Sequence, residues 1–165
     1  MQKLKKELIL ASVIRKSSET LIKNKVKGFE EFGKDLMGMC AISSCALKRV
    51  LEENGIESTL IKGQYGLVSE HCWVDLPDHC IDLTLTQFGK KEKIHFIDKQ
   101  SALFKNFICL KKEPKITDFK NWPFFQKPTK RLVESILSYA IESGNLDEKL
   151  KYKSETFTKN IAFVK

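Results

Sequence analysis

No stretch of this chain approaches the roughly 20 consecutive apolar residues that cross a bilayer, so no membrane-spanning helix is expected. The first ten residues, Met1-Gln2-Lys3-Leu4-Lys5-Lys6-Glu7-Leu8-Ile9-Leu10, are charged and lack the apolar core and small-residue cleavage site of a secretory leader. Together these predict a cytoplasmic protein. Internal repeats, low-complexity linkers and Cys-x-x-Cys knuckles are missing too, which argues against a solenoid, a multidomain string and a zinc ribbon. The five cysteines, Cys40, Cys45, Cys72, Cys80 and Cys109, are odd in number and irregularly spaced. That excludes a regular disulfide framework and predicts reduced thiols, most of them small buried apolar residues.

What is present fits one ordinary globular domain. The chain has 165 residues, 42% apolar and 30% charged. We expect a single domain over 1–150 and a polar tail over 151–165. The net charge of +8 is unevenly spread: residues 1–39 carry +4, residues 40–88 carry −4, residues 89–131 carry +8 and residues 132–165 are neutral. The acidic segment is also the one that holds the most chemistry.

Apolar residues Leu4, Leu8, Ile9, Ala11 and Ile14 recur at helical spacing and predict a helix over 2–15, with a second amphipathic piece from Ser18 to Val26. Residues 40–54 contain no Gly or Pro, and Gly55 follows Asn54 as a stop, which predicts a largely buried helix. Strands are expected at 58–62, 71–76, 80–84, 94–97 and 106–110, and a last helix at 131–143. The outline is an α+β domain, with N-terminal helices and a buried helix packed on a mostly antiparallel sheet.

Cys40 opens the buried helix, His71 lies on a predicted strand and Asp82 on the next one. A free thiol ionises near pH 8.5, so a cysteine nucleophile needs help at neutral pH. A helix start supplies unpaired N–H groups and the positive end of the dipole; an imidazole supplies a proton acceptor. A carboxylate fixes the imidazole's tautomer. Sheet parity tests the set. If Leu76 faces His79 across a tight turn at Pro77-Asp78, opposed residue numbers sum to 155. Asp82 then faces Trp73, and His71 and Asp82 become diagonal neighbours on one face. A slip of one residue would separate them.

These residues carry a resemblance. Gly38-x-Cys40-x-x-x-Ser44-x-x-Leu47-x-x-x-Leu51-x-x-x-Gly55, then Gly63, then His71-x-Trp73-Val74-Asp75, then Asp82-Leu83-Thr84 resembles the transglutaminase-like branch of the papain-like cysteine enzymes. The Asp-Leu-Thr-x-x-Gln-Phe run from Asp82 to Phe88 is similar to small bacterial and phage members. The resemblance covers residues 38–88. It implies a papain-like fold, acyl transfer from an amide of a peptide or protein to a cysteine, and release to water or an amine, with no cofactor. It also implies Cys40 as nucleophile, His71 as base and then acid, and Asp82 as orienting group. Cys72 stands where a small residue is usual. No glutamine precedes Cys40 in the place of a papain-type oxyanion donor; Gln64 and Gln87 are the available substitutes, and with Trp73 they are the candidate substrate contacts.

Other readings compete. Cys45 is a second thiol on the same helix, about 140° around from Cys40. His71-Cys72 and His79-Cys80 suggest zinc, but neighbours on a strand point to opposite faces, so no metal site is expected. Residues 89–131 hold six of the eleven Phe and Trp122 among their lysines. That pattern suits nucleic acid or an acidic protein partner, on a noncatalytic binding module. Core aromatics with solvated lysines account for it equally in kind, and are favoured.

Overall fold

The computed structural model describes residues 2–113, 127–151 and 161–164. Three helices and six strands follow in the order α1 (Gln2–Lys23), α2 (Cys40–Glu53), β1 (Thr59–Tyr65), β2 (Val68–Asp75), β3 (His79–Asp82), β4 (Ile94–Asp98), β5 (Phe107–Glu113), α3 (Lys127–Glu142) and β6 (Ile161–Val164). The strands make one sheet in the order β5-β1-β2-β3-β4-β6. Five strands run antiparallel to their neighbours, and β6 lies parallel to β4 at the edge. The α+β class is that expected.

Each face of the sheet has its own core. On one face Leu60, Val74, Leu76, Ile81, Ile94 and Phe96 pack beneath the three helices, against side chains such as Ile14, Leu47 and Ile136. On the other Ile61, Trp73, Cys80, Ile97 and Phe107 cluster with Leu85. Alternation along the strands produces this division: Cys72 and Val74 turn toward the helices, His71 and Trp73 away from them.

Helix α2 ends as its sequence dictates. Gly55 takes φ +69°, its N–H donates to Glu52 O at 3.0 Å, and the Ile56 N–H reaches Leu51 O at 2.9 Å. That reciprocal pair, with Ile56 buried, is the Schellman stop. The other end has no comparable closure. Met39 precedes the helix and offers no side-chain oxygen to cap it. The first bond of the ladder runs from Ser43 N–H to Met39 O at 2.9 Å, so the N–H groups of Cys40, Ala41 and Ile42 lie ahead of it.

Some expectations are corrected. The two N-terminal pieces are one 22-residue helix. Ser18 does not break it, because its hydroxyl donates to Ile14 O at 2.9 Å and the residue is fully buried. Helix α3 starts four residues earlier than expected, with Pro128 in the first turn, where a missing N–H costs nothing. Most of the expected tail lies outside the described residues, but Ile161-Ala162-Phe163-Val164 pairs as a strand. Three of the four, Ile161, Phe163 and Val164, have high β-propensity.

Candidate active site

The β2–β3 hairpin has the anticipated register. Val74 faces Ile81, Asp75 faces Cys80, and the Leu76 N–H donates to His79 O at 2.8 Å. His71 and Asp82 therefore share a face, and His71 Nε2 lies 2.5 Å from Asp82 Oδ2. Both side chains are buried, at 1% and 0% exposure. Asp82 is further held by Thr84, whose N–H donates to Oδ1 at 2.7 Å and whose hydroxyl donates to the same oxygen at 3.1 Å.

A β-bulge aims the histidine. Gly63 pairs with His71 and Gln64 with Ser69, which leaves Glu70 as the extra residue on β2, at φ +69°. Bulges bend a strand and redirect the next side chain. Left-handed residues also precede the thiol: Asp35 and Leu36 at φ +61° and Gly38 at φ +81°. Backbone strain thus sits just before both Cys40 and His71, as it does where structure is shaped for chemistry.

With Nε2 taken by Asp82, Nδ1 is the ring nitrogen left over, and it is buried with no hydrogen-bond partner. The Cys40 thiol lies near enough to the imidazole for each group to shift the other's pKa. Cys40 is half-buried, with its sulfur 3.9 Å from the Glu70 carbonyl oxygen. Its thiol pKa is pulled down to about 5. A hydrogen bond from the Cys72 thiol contributes most; the bond and charge of His71 add to it, against the opposing effect of burial. For His71, burial alone would push the pKa down. The charge and hydrogen bond of Asp82, together with Cys40, outweigh it and raise the value to about 10. Burial raises the Asp82 carboxyl, but His71 and the two Thr84 bonds leave it below its ordinary value. Between about 5 and about 10 the pair is thiolate and imidazolium.

The imidazole sits among aromatic rings. Phe88 meets it edge-on at 5.1 Å, Tyr65 at 5.9 Å, Trp73 nearly parallel at 6.0 Å and Phe107 at 6.3 Å. These rings keep water from the His71–Asp82 bond, which strengthens it.

The three candidate substrate contacts fare differently. Trp73 is 2% exposed and forms a wall behind the imidazole. Gln64 adjoins Tyr65 on β1, so alternation sends it to the opposite strand face from the ring that meets His71. Gln87, in a short 3₁₀ turn at Leu85–Phe88, comes to the start of α2. Its Oε1 accepts the Gly38 N–H at 3.4 Å. A backbone N–H can only donate, so the amide nitrogen points the other way, and it is buried with no partner.

Sequence reasoning missed Arg15. This α1 residue is 2% exposed; its Nη1 donates to Leu83 O and to Thr86 Oγ1 at 3.1 Å, and its Nε to Glu19 at 2.9 Å. It clamps the segment that carries Asp82, Thr84 and Gln87. His95, opposite Asp82 on β4, was missed as well; burial lowers its pKa, which leaves it neutral beside the carboxylate.

Cys45 is fully buried, and burial and Cys40 raise its pKa well above the ordinary range, so it does not share the role of Cys40. Cys72 faces the helices while His71 faces away, and among the described residues no group of three or more His, Cys, Asp or Glu is placed to hold a metal ion. In the basic segment, Phe96 and Phe107 are core residues. Phe119, Trp122, Phe124 and Phe125 lie outside the described residues. No described helix is long and apolar enough to cross a membrane.

A comparison with protein families, curated proteins and solved structures found no match for this chain.

Proposed function

We propose that this chain is a thiol-dependent acyl-transfer enzyme of the transglutaminase-like, papain-like kind, acting on an amide bond of a peptide or protein. The observation that carries the reading is the His71 imidazole, bound through Nε2 to a buried carboxylate with Nδ1 left unpartnered, near a thiol at an uncapped helix start. In the first step the Cys40 thiolate attacks the carbonyl carbon. The oxyanion is met by the N–H groups ahead of the α2 ladder and by the unpartnered Gln87 amide. His71 then gives the Nδ1 proton to the leaving amine, and a thioester on Cys40 remains. In the second step neutral His71 takes a proton from water or an incoming amine, which attacks the thioester and frees the thiol. Asp82 keeps the imidazole in one tautomer and steadies its positive charge throughout.

p-Nitrophenyl acetate tests this without a known substrate. Wild type should give a burst of nitrophenolate and an acetyl group on Cys40 alone, located by peptide mass spectrometry. This leaving group needs no proton, so the rate should rise through about pH 5 and stay high, whereas amide cleavage should fall again above about pH 10 as His71 deprotonates. Gln87→Ala should lower the acylation rate about 100-fold. No acetyl on Cys40, or acetyl on other cysteines instead, would remove the reading in favour of a noncatalytic module.

A further inference from the structure

Cys72 exchanges no proton or acyl group in the acyl-transfer steps, yet it is the thiol that hydrogen-bonds to the nucleophile. It is 3% exposed, on the face of β2 that turns toward the helices. Helix α2 lies across it: the Ser44 hydroxyl, one turn along from Cys40, donates to Cys72 O at 3.0 Å, and the Cys40 sulfur sits 3.9 Å from the carbonyl of Glu70, two residues before Cys72. Cys40 and Ser44 share one helix face, so that face of α2 lies on β2 at residues 70–72, where the Cys40 and Cys72 thiols are near enough to hydrogen-bond.

We propose that Cys40 and Cys72 form an oxidation site, in which a peroxide converts Cys40 to a sulfenic acid that Cys72 closes into a disulfide, reversibly masking the nucleophile. This rests on the reading of Cys40 as a reactive thiolate. The Cys40 sulfur attacks one peroxide oxygen and the O–O bond breaks; for hydrogen peroxide the departing hydroxide takes the His71 proton and leaves as water. Cys72 then loses its proton, its sulfur attacks the Cys40 sulfur, and the S–O bond breaks to release a second water. Two thiols are oxidised by two electrons, and one peroxide is reduced.

The order of events follows from exposure. Buried Cys72 cannot meet the oxidant directly, whereas half-buried Cys40 can. In the resting state the hydrogen bond to Cys40, then burial and the charge of Cys40, hold the Cys72 thiol well above its ordinary range, so it is inert. Conversion of Cys40 to a neutral sulfenic acid removes that charge and frees Cys72 at the moment a resolving thiol is needed. An S–S bond requires the sulfurs to close to about 2.05 Å. Cys40 is the first residue of an uncapped helix, with its N–H outside the ladder, and can shift without losing that bond. Cys45 points around the helix, Cys80 lies in the core of the other sheet face, and Cys109 is exposed on β5.

The test is hydrogen peroxide on the whole chain, with peptide mapping under non-reducing conditions, beside iodoacetamide labelling at about pH 6, where an ordinary thiol is almost wholly protonated. The expected result is a Cys40–Cys72 linked peptide and at least a tenfold loss of Cys40 labelling, both reversed by dithiothreitol. Cys72→Ser, which keeps a donor to Cys40 but cannot close a disulfide, should give no link, and its Cys40 should proceed to a sulfinic acid that dithiothreitol does not reverse. Cys40 that labels at pH 6 but over-oxidises without linking, or links to Cys45 or Cys109, overturns the pair and leaves the acyl-transfer reading standing. A link formed by a Cys40 that does not label at pH 6 keeps the pair and removes that reading; neither label nor link removes both.

Discussion

Asp82→Asn should slow acyl transfer at Cys40 by about 10³- to 10⁴-fold while leaving the fold in place. The reason lies in Thr84. Its N–H donates to Asp82 Oδ1 at 2.7 Å and has no other direction to donate in. An asparagine at this position must turn its oxygen to that N–H, which presents its NH₂ group to His71 Nε2. Nε2 then has to accept, and the ring proton moves to Nδ1, the nitrogen that the proposed mechanism uses toward Cys40. A neutral imidazole protonated at Nδ1 cannot take the thiol proton. The charge and bond that outweigh burial at His71 are lost together, so its pKa falls back and the Cys40 thiolate loses its partner cation. The side chains are close in shape, and circular dichroism should show little change. Burst amplitude with p-nitrophenyl acetate and the pH at which Cys40 becomes reactive both report the effect; an unchanged rate would mean that the carboxylate only packs.

Gly63→Ala should be the most damaging single methyl group in the described chain. A Cβ built at this position meets Ile108 O at 2.1 Å and Trp73 Cη2 at 2.6 Å. The first is backbone of the neighbouring strand and the second a ring packed on all sides, so neither yields without moving β5 or the tryptophan. The position is also the hinge of both irregularities in the sheet, since the β1–β5 register shifts between Lys62 and Gly63 and the β1–β2 register between Gly63 and Gln64. We expect a loss of roughly 3 kcal/mol and a fall in Tm of about 10 °C, read by thermal unfolding. Trp73 stacks beside His71, so the surviving folded fraction should also acylate more slowly. A Tm within a degree or two of wild type would show that β5 gives way freely.

Much of the site is legible in the sequence because its parts are local. Helix α2 announces itself by fourteen residues without Gly or Pro and the Asn54-Gly55 stop. The hairpin register follows from Pro77-Asp78 and the period of two along a strand, and that period alone brings His71 and Asp82 together. What the sequence hides is non-local. Arg15 reads as a solvated cation on an amphipathic helix, and its partners Leu83 and Thr86 lie about seventy positions away. Ser17 and Ser18 suggest a break, but burial and the back-bond to Ile14 carry α1 through them. Nothing in Ser69-Glu70 marks a bulge, which lies where the pairings of β1 with both its neighbours shift at Gly63. Trp73 looks like a cleft residue because it follows the histidine by two positions, and that same spacing puts it behind the ring.

Gln87 shows both sides of the problem. The sequence offers it only as one of two glutamines that could replace the donor missing before Cys40, and the fold brings its buried, unpartnered amide nitrogen to the start of α2. Arg15 and Thr84 reach the site through this same segment, so the start of α2, the carboxylate and the glutamine depend on one short loop held from α1.

The most direct measurement is the rate of iodoacetamide labelling at Cys40 across graded pH, in wild type and in His71→Ala, with the modified residue located by mass spectrometry. The account predicts selective labelling of Cys40 that rises near pH 5 in wild type and shifts to clearly higher pH when the imidazole is removed, with the Cys72 bond still in place. Cys40 that titrates as an ordinary or buried thiol in both proteins would contradict it.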